Sequence, residues 1–277
     1  MNIIRNLGIV AACACLLAGW EFVQADTAQL GQMQAERILF LGNSITLCPQ
    51  PTSEDWWGLT ASDPDHDYAH LLVGQINAAT GSSLAITPPN PYQGDENDLW
   101  LPSYGLPSYN GNILNMADIF ERNFNTWTNA RIQYQLDQRP DIVVVQLGEN
   151  LANGTNDEFR TALDAMLTGL KNSSNPHIFV TGQILGENAA VDAIKRQLCD
   201  ADPSHRVFVD MSAIGPTPGN IEGTYGHPSD QGMAAIADTL FLAMQAHAVP
   251  EPTSVTLGCT MVIAVLGYTW KAHQRCR

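Results

Sequence analysis

The amino-acid sequence predicts an α/β fold with three layers, α/β/α, in which helices cover both faces of a central parallel sheet of about five strands. Two observations lead to this prediction. Short continuous apolar runs have the length and composition of strands buried on both faces. These runs alternate with longer segments in which apolar residues recur at helical spacing, the pattern of βαβ units. The predicted strands cover residues 38–41, 113–118, 142–147, 177–182 and 207–210.

Helices are predicted between these strands from the three- and four-residue spacing of apolar side chains. Gly81 is expected to end the first helix, because glycine readily adopts the left-handed conformation that follows a helix. The predicted helices cover residues 67–80, 121–136, 157–170, 189–199 and 229–247, and a further short strand is expected at 83–87.

Two long loops interrupt this alternation, at residues 47–62 and 88–112, where proline and glycine are frequent. Long loops in compact domains often contribute to functional sites. Trp57 in the first loop and Tyr104 in the second are therefore candidates for a substrate cleft, since an aromatic ring can stack on a sugar. The alternative is that these side chains anchor their loops, and packing is the favoured role for Trp57.

The composition fits one globular domain and excludes one class of partner. Apolar residues make up 45% of the 277 residues, which is enough for a sizeable core. The formal charge is -15, whereas a nucleic-acid-binding surface is basic. Cys48 and Cys199 are the two cysteines in the body of the chain, and two free thiols are favoured over a disulfide. The cysteine spacing indicates no metal cluster.

The amino-terminal residues 1–25 are predicted to be a signal peptide. Arg5 precedes an apolar stretch, and the residues that follow allow cleavage before Asp26. Processing as a lipoprotein at Cys13 is the alternative. A polar lead-in is expected at 26–36, and the predicted domain covers 37–247.

The carboxyl-terminal residues 248–277 combine a Pro-Glu-Pro motif, an uncharged apolar stretch at 255–270 and a basic tail. The apolar stretch is slightly shorter than the about 20 residues that span a bilayer. This order of features resembles the PEP-CTERM sorting signal of Gram-negative bacteria. The resemblance implies export, processing by an exosortase, transient anchoring in the membrane, and display at the outer surface or in the extracellular matrix. A permanent single-span anchor is the alternative.

Three predicted turns at the carboxyl edge of the sheet carry polar groups with complementary chemistry. Ser44 follows the first strand, Asn150 follows the third, and His227 precedes the last helix. Ligands bind at this edge in open α/β sheets. Acyl transfer needs a hydroxyl nucleophile, a base that takes its proton, and donors for the developing oxyanion, and these three residues supply one of each. For Ser44 the alternative is an ordinary helix cap.

The same turns resemble the sequence blocks of SGNH hydrolases, the GDSL-like esterase family. Gly42-Asn43-Ser44 is similar to the first block, with Asn43 in place of the usual Asp. Gly148-Glu149-Asn150 is similar to the third block, and His227-Pro228 to the fifth. The resemblance implies the flavodoxin-like SGNH hydrolase fold, Ser44 as the nucleophile and His227 as the base. It also implies an oxyanion hole formed by Asn150 and the backbone N–H of Ser44.

The sequence departs from that family pattern in two places. The second block usually supplies a glycine N–H to the oxyanion, but residues 115–121 contain no glycine. The backbone N–H of Glu121 is the candidate replacement, since every non-proline residue has one. Thr224 stands where the family usually has an Asp that orients the histidine. The imidazole of His227 is therefore expected to be oriented by a backbone carbonyl or by Glu222, in a Ser–His dyad or a triad.

These observations predict a secreted or surface-associated serine esterase that hydrolyses carboxylic esters, with O-acetyl groups on polysaccharide as the candidate substrate. The expected chemistry needs neither a metal nor an organic cofactor. The alternative is a catalytically weak or inactive surface protein of the same fold that binds glycan, because a fold does not determine one function.

Overall fold

The central element of the fold is a parallel sheet of five strands. The structure is a computed structural model that describes residues 29–49, 56–88, 111–152, 154–186, 188–223 and 226–248. The strands are β1 (Ile38–Gly42), β2 (Ile113–Asn115), β3 (Ile142–Val145), β4 (His177–Thr181) and β5 (Arg206–Val209). They lie in the order β2-β1-β3-β4-β5, and each neighbouring pair is parallel.

The strand order brings the ends of β1 and β3 together. Leu41 of β1 pairs with Val145 of β3, so the turns that follow the two strands leave the same edge of the sheet. The chain changes direction across the sheet here, since β2 lies on the other side of β1. In sheets of this order, ligands bind in the crevice outside the carboxyl ends of the strands at such a switch point.

Helices cover both faces of the sheet because the strands are apolar on both faces. The helices are α1 (Tyr68–Thr80), α2 (Gln133–Asp137), α3 (Asn156–Ser174), α4 (Ala189–Asp200) and α5 (Asp230–Ala248). In β1, Ile38 and Phe40 are buried against α1 and α5. Leu39 and Leu41 are buried on the opposite face, against α2, α3 and α4. The predicted three-layer α/β/α fold with a parallel sheet of about five strands is therefore confirmed.

Helix boundaries follow from local capping signals. The Asp67 carboxylate accepts a bond from the N–H of His70 at 2.8 Å and caps the start of α1. Thr155 and Glu158 form a reciprocal capping box at the start of α3, in which each side chain bonds the other residue's backbone N–H. Four of the five predicted helices, all except the one at 121–136, are found within four residues of their predicted ends.

The helix predicted over residues 121–136 is wrong. The chain instead forms a π-helical turn at Ala117–Glu121, 3-10 turns at Phe124–Thr126 and Asn129–Ile132, and the short α2. Asparagine side chains bond backbone carbonyls here: Asn123 donates to Asp118 at 2.8 Å, and Asn129 donates to Ala165 of α3 at 3.0 Å. Such bonds compete with the regular helical ladder, which explains the broken helix.

The short strand predicted at 83–87 is also wrong, because residues 81–88 form an irregular segment. Two side-chain amides hold this segment in place. The Asn77 side chain accepts a bond from the N–H of Leu84 at 2.8 Å, and the Asn112 side chain accepts one from the N–H of Thr87 at 2.7 Å. These bonds satisfy backbone donors that a sheet ladder would otherwise satisfy.

The described part of the segment predicted as a lead-in, residues 29–36 of 26–36, contributes to the folded core. Gln29–Leu30 pairs with Met33–Gln34 in a small antiparallel ribbon, and the side chains of Leu30 and Met33 are buried beside α1 and α5. The N–H of Gln32 donates to the carbonyl of Ala248 at 3.3 Å, so the ribbon is tied to the end of α5.

The predicted signal peptide at 1–25 lies outside the described residues, and so does the predicted sorting segment at 248–277, with its apolar stretch 255–270, apart from Ala248 at the end of α5. Within the described ranges, no helix is long and apolar enough to cross a bilayer.

The two body cysteines, Cys48 and Cys199, are buried free thiols, as expected from the sequence. Burial raises the pKa of Cys48 to about 11 and the pKa of Cys199 to about 12. Since the thiolate is the reactive form, both residues are unreactive at neutral pH.

Three histidines meet at the amino edge of the sheet, opposite the candidate site. Nδ1 of His177 lies 3.0 Å from Nε2 of His247, and the His177 ring stacks on His205 with centroids 5.9 Å apart. Burial, with His247 and His205 as like-charged neighbours, lowers the pKa of His177 to about 4. The surroundings therefore favour the neutral forms of His177 and His247, since burial lowers the pKa of both.

This cluster predicts a stability loss in acid. Unfolded His177 takes up a proton near pH 6.5, whereas the folded residue resists protonation until about pH 4. The unfolded state binds more protons between these values, so the free energy of unfolding falls as the pH is lowered through this window. Urea unfolding at several pH values should show a shallower fall for His177→Gln than for the wild type. Parallel curves for the two proteins would contradict the prediction.

Candidate active site

Ser44 lies in a tight turn directly after β1. A side chain at Gly42 would collide with Oγ1 of Thr46, so only glycine fits at the end of the strand. The buried Asn43 shapes the turn: its carbonyl accepts a bond from the N–H of Thr46 at 3.0 Å, and its side-chain oxygen accepts one from the N–H of Ile45 at 3.0 Å. The following residues form a turn and a short strand, so Ser44 caps no helix and that alternative is wrong.

His227 is brought to Ser44 by a two-stranded antiparallel ribbon, Ile221–Glu222 with His227–Pro228, that precedes α5. Oγ of Ser44 lies 2.8 Å from Nε2 of His227, and both residues are half-buried. This is the distance at which an imidazole can take a hydroxyl proton. The structure thus joins two residues that are 183 positions apart in the sequence.

Glu222 is the residue predicted from the sequence to orient the His227 ring through its other nitrogen. Glu222 is exposed and lies directly opposite His227 in the ribbon. Side chains opposite each other in an antiparallel pair project to the same face. An orienting role for Glu222 stays a prediction, and Thr224 lies outside the described residues.

Asn150 follows β3 in a turn that begins at Gly148. Gly148 has a φ of +114°, in the region that favours glycine, and a side chain there would also lie 3.0 Å from the Lys195 ammonium. The Nδ2 atom of Asn150 donates to Oε2 of Glu121 at 2.8 Å. The side-chain nitrogen of Asn150 is thereby fixed on a carboxylate.

Glu121 contributes through its side chain, whereas the sequence suggested its backbone N–H. That N–H donates to the carbonyl of Met116 at 3.1 Å within the π-helical turn, so the expectation of a Glu121 backbone donor needs correction. The carboxylate is fully buried. Its Oε1 accepts bonds from Nδ2 of Asn43 at 3.1 Å, from the N–H of Gly148 and from the N–H of Glu149 at 3.0 Å. The residues after β1 and β3 therefore converge on Glu121.

A buried lysine lies beneath this turn. Nζ of Lys195 on α4 donates to the carbonyl of Thr181 at 3.0 Å and lies 3.4 Å from Asp192. Burial lowers the pKa of Lys195, while Asp192, Glu149 and Glu121 act in the opposite direction. Burial also raises the pKa of Glu149. Lys195 is the cation that offsets the acidic groups buried at this edge.

Sequence reasoning did not single out Lys195, although a signal was present. It stands four residues from Val191 and from Cys199 on the buried face of α4. A lysine on an apolar helix face is unusual unless it is paired.

The two aromatic candidates for a substrate cleft differ in what the structure describes. Trp57 is half-buried, packs against the core, and donates from Nε1 to the carbonyl of Ala61 at 2.9 Å. Its ring therefore anchors the loop, the favoured role for this residue. Tyr104 lies outside the described residues. In the part of the chain that is described, no group of three or more His, Cys, Asp or Glu side chains is arranged to hold a metal ion.

Comparison with known proteins identifies similar folds at low sequence identity. The psychrotrophic esterase EstA from Pseudoalteromonas sp. is 14% identical, with a TM-score of 0.50, over 76% of this chain and 98% of EstA. TesA is 13% identical, with a TM-score of 0.49, over 76% and 98% of the two chains. A family two carbohydrate esterase from Cellvibrio japonicus is 15% identical, with a TM-score of 0.45, over 78% of this chain and 62% of that one.

The likeness to EstA shows a shared fold, in agreement with the three-layer architecture. No protein-family model matches the chain, and no curated protein matches it.

The buried pair of Asn43 and Glu121 generates a charge prediction. Asn43→Asp would place two carboxylates about 3 Å apart, where both cannot ionise without a large penalty. We expect the free energy of unfolding to fall by about 2–4 kcal/mol at pH 8 and by less at pH 5, where one carboxyl keeps its proton. Urea unfolding at both pH values measures this.

Asn77→Asp is the matched control, because it also loses an amide donor, but Asn77 lies on α1 and bonds Leu84 rather than Glu121. For this control, the decrease in the free energy of unfolding should be about the same at pH 5 and pH 8. An Asn43→Asp variant with the same loss at pH 5 and pH 8 would rule out the charge explanation.

Lys195→Met tests the buried cation. Methionine matches the length of lysine but leaves Asp192 and Glu149 without their positive neighbour, so we expect a loss of about 3–5 kcal/mol in the free energy of unfolding. Lys171→Met is the control, since Lys171 pairs with Asp202 near the surface and its loss should cost about 1 kcal/mol or less. Equal urea midpoints for the two variants would contradict the role given to Lys195.

Proposed function

We propose that this protein is a serine hydrolase that cleaves carboxylic esters, with Ser44 as the nucleophile. The observation that carries the proposal is the 2.8 Å contact between Oγ of Ser44 and Nε2 of His227 at the carboxyl edge of the sheet. Asn150 supports it, because its amide and the turn of Ser44 share the carboxylate of Glu121. The set combines a nucleophile, a base and an amide donor.

The proposed reaction has two halves. In the first, His227 takes the proton of Ser44 as its oxygen attacks the ester carbonyl, and then gives that proton to the departing alcohol. In the second, His227 takes a proton from water as the water oxygen attacks the acyl-enzyme, and then returns that proton to Oγ of Ser44 as the bond to the acyl group breaks and the acid leaves. The negative oxygen of each tetrahedral intermediate is held by the Asn150 amide and the backbone N–H of Ser44.

His227 carries positive charge during both halves, so a neighbouring acceptor would raise the rate. Glu222 is the candidate, since it lies opposite His227 in the ribbon. With Glu222 engaged the site is a triad, and without it the site is a Ser–His dyad with weaker catalysis. The oxyanion donors contribute separately in either case.

For the substrate, we propose esters on an extracellular polysaccharide, such as O-acetyl groups. The support is the export signal at 1–25 and the PEP-CTERM-like segment at 248–277, which also motivate an exosortase partner and transient membrane attachment on a Gram-negative surface.

A glycan-binding protein with little turnover is the second candidate. It is favoured by Thr224 in place of the usual Asp, and by the Glu121 N–H, which is engaged with Met116. The first feature removes the usual carboxylate that orients the histidine, and the second removes a backbone donor for the oxyanion. Neither affects the fold.

Hydrolysis of p-nitrophenyl acetate separates the two candidates. We expect Ser44→Ala and His227→Gln to lower kcat by about 1,000-fold or more, because each removes a group that acts in the chemical step. Ser204→Ala, at an exposed serine remote from the site, should leave kcat unchanged. If Ser44→Ala hydrolyses acetyl, butyryl and octanoyl esters as fast as the wild type, catalysis at Ser44 is wrong.

A further inference from the structure

We infer that Glu121 is a positioning residue, whose buried carboxylate holds the Asn150 amide for the oxyanion and fixes it relative to the turn that carries Ser44. The inference rests on the proposed esterase function and adds to it a residue that touches no substrate. Glu121 acts on the reaction only through the groups that bond its two oxygens.

The contacts of Glu121 reach the turns after two adjacent strands. Oε1 accepts the Asn43 amide at 3.1 Å from the turn after β1, and the N–H groups of Gly148 and Glu149 from the turn after β3. Oε2 accepts the Asn150 amide at 2.8 Å. One rigid carboxylate therefore determines the relative placement of the nucleophile turn and the amide donor.

All four partners are N–H donors, which suits a carboxylate and no other side chain of this size. An ionised carboxylate has only acceptor sites, whereas a glutamine at this position would turn an NH₂ group toward one of the donors. The buried donors would otherwise be left without partners, at a cost of about 1–3 kcal/mol each. Glu121 thus satisfies the groups that it orders.

The carboxylate also decides which end of the Asn150 amide faces the reaction. A free asparagine amide can rotate by half a turn and exchange its oxygen for its nitrogen. Bonding to Oε2 fixes the nitrogen on the side of the amide that faces Glu121, and the planar NH₂ group keeps a second N–H that can bond a ligand. An amide that rotated would present its oxygen, which repels an oxyanion.

The local backbone explains how the carboxylate reaches this place. In the π-helical turn the N–H groups of Phe120 and Glu121 both bond the carbonyl of Met116. The buried Phe120 ring packs edge-on against Trp127 and Phe159 and anchors the turn. Single π-helical turns are frequent at functional sites, where they redirect a side chain.

A double-mutant cycle tests whether Glu121 acts through Asn150. Kinetics with p-nitrophenyl acetate would be measured for Glu121→Gln, Asn150→Ala and the double variant. We expect Asn150→Ala to lower kcat by about 100–1,000-fold, and Glu121→Gln to lower kcat by about 10–100-fold with KM changed less than about 3-fold. The double variant should be no slower than Asn150→Ala by more than about 3-fold, because the two residues act as one unit.

Glu36→Gln is the matched control, since Glu36 is an exposed glutamate just before β1 and remote from the site. It should behave as the wild type. The inference is overturned if Glu121→Gln keeps full kcat, or if its loss multiplies fully with that of Asn150→Ala.

A spectroscopic measurement on the wild type covers the case in which Glu121→Gln fails to fold. The side-chain NH₂ signals of Asn150, assigned by their loss in Asn150→Ala, should be separated from those of exposed asparagines and exchange slowly with solvent. Signals that coincide with those of freely rotating side chains would overturn the inference.

The proposed esterase function and the positioning role of Glu121 can fail separately. If the wild type and Ser44→Ala hydrolyse esters alike, the proposed function is wrong, and the amide signals still report whether Glu121 holds Asn150. If Ser44→Ala is inactive but the effects of Glu121→Gln and Asn150→Ala multiply, the esterase function stands and only the positioning role is wrong.

Discussion

The candidate site depends on the buried carboxylate of Glu121. Parallel pairing of β1 and β3 brings two turns to one edge of the sheet, but pairing alone leaves the side chains of those turns free to rotate. A buried carboxylate is stable only when donors surround it, and the donors come from Asn43, from Asn150 and from the backbone at Gly148 and Glu149. The requirement to satisfy one buried charge therefore orders the groups around Ser44.

The sheet could be predicted from sequence because its signal is local. Strands buried on both faces are continuous apolar runs, as in β3, whose four residues are fully buried. The prediction of a helix over 121–136 was wrong. The apolar residues do recur at helical spacing, but tertiary contacts hold the backbone in another conformation. Asn129 bonds a carbonyl of α3, and Phe120 and Trp127 pack edge-on, which the spacing of residues does not reveal.

The site shows the same division between local and tertiary information. Ser44 and Asn150 are recognisable because each directly follows a strand at the sheet edge, where functional groups are expected, and His227 because it shortly precedes the last helix. The side chain of Glu121 reaches the site because it lies in a π-helical turn. The spacing of apolar residues predicts only regular helices and strands, so it does not reveal such a turn. Lys195 is intermediate, because helical spacing places it on the buried face of α4 but only the structure shows the acidic groups around it.

Asn43, which stands in place of the usual Asp of the SGNH pattern that the sequence resembles, has a physical explanation in its contact with Glu121. Asn43 stands where an Asp is usual, and the glycine-free segment 115–121 ends in Glu121. Asn43 accepts a bond from Ile45 with its oxygen and donates to Glu121 with its nitrogen, and a carboxylate could make only the first of these bonds. A carboxylate at position 121 therefore requires a donor at position 43. Asn43 and Glu121 therefore each make the other favourable, because the amide of Asn43 gives the buried carboxyl of Glu121 a donor that an Asp carboxylate would lack.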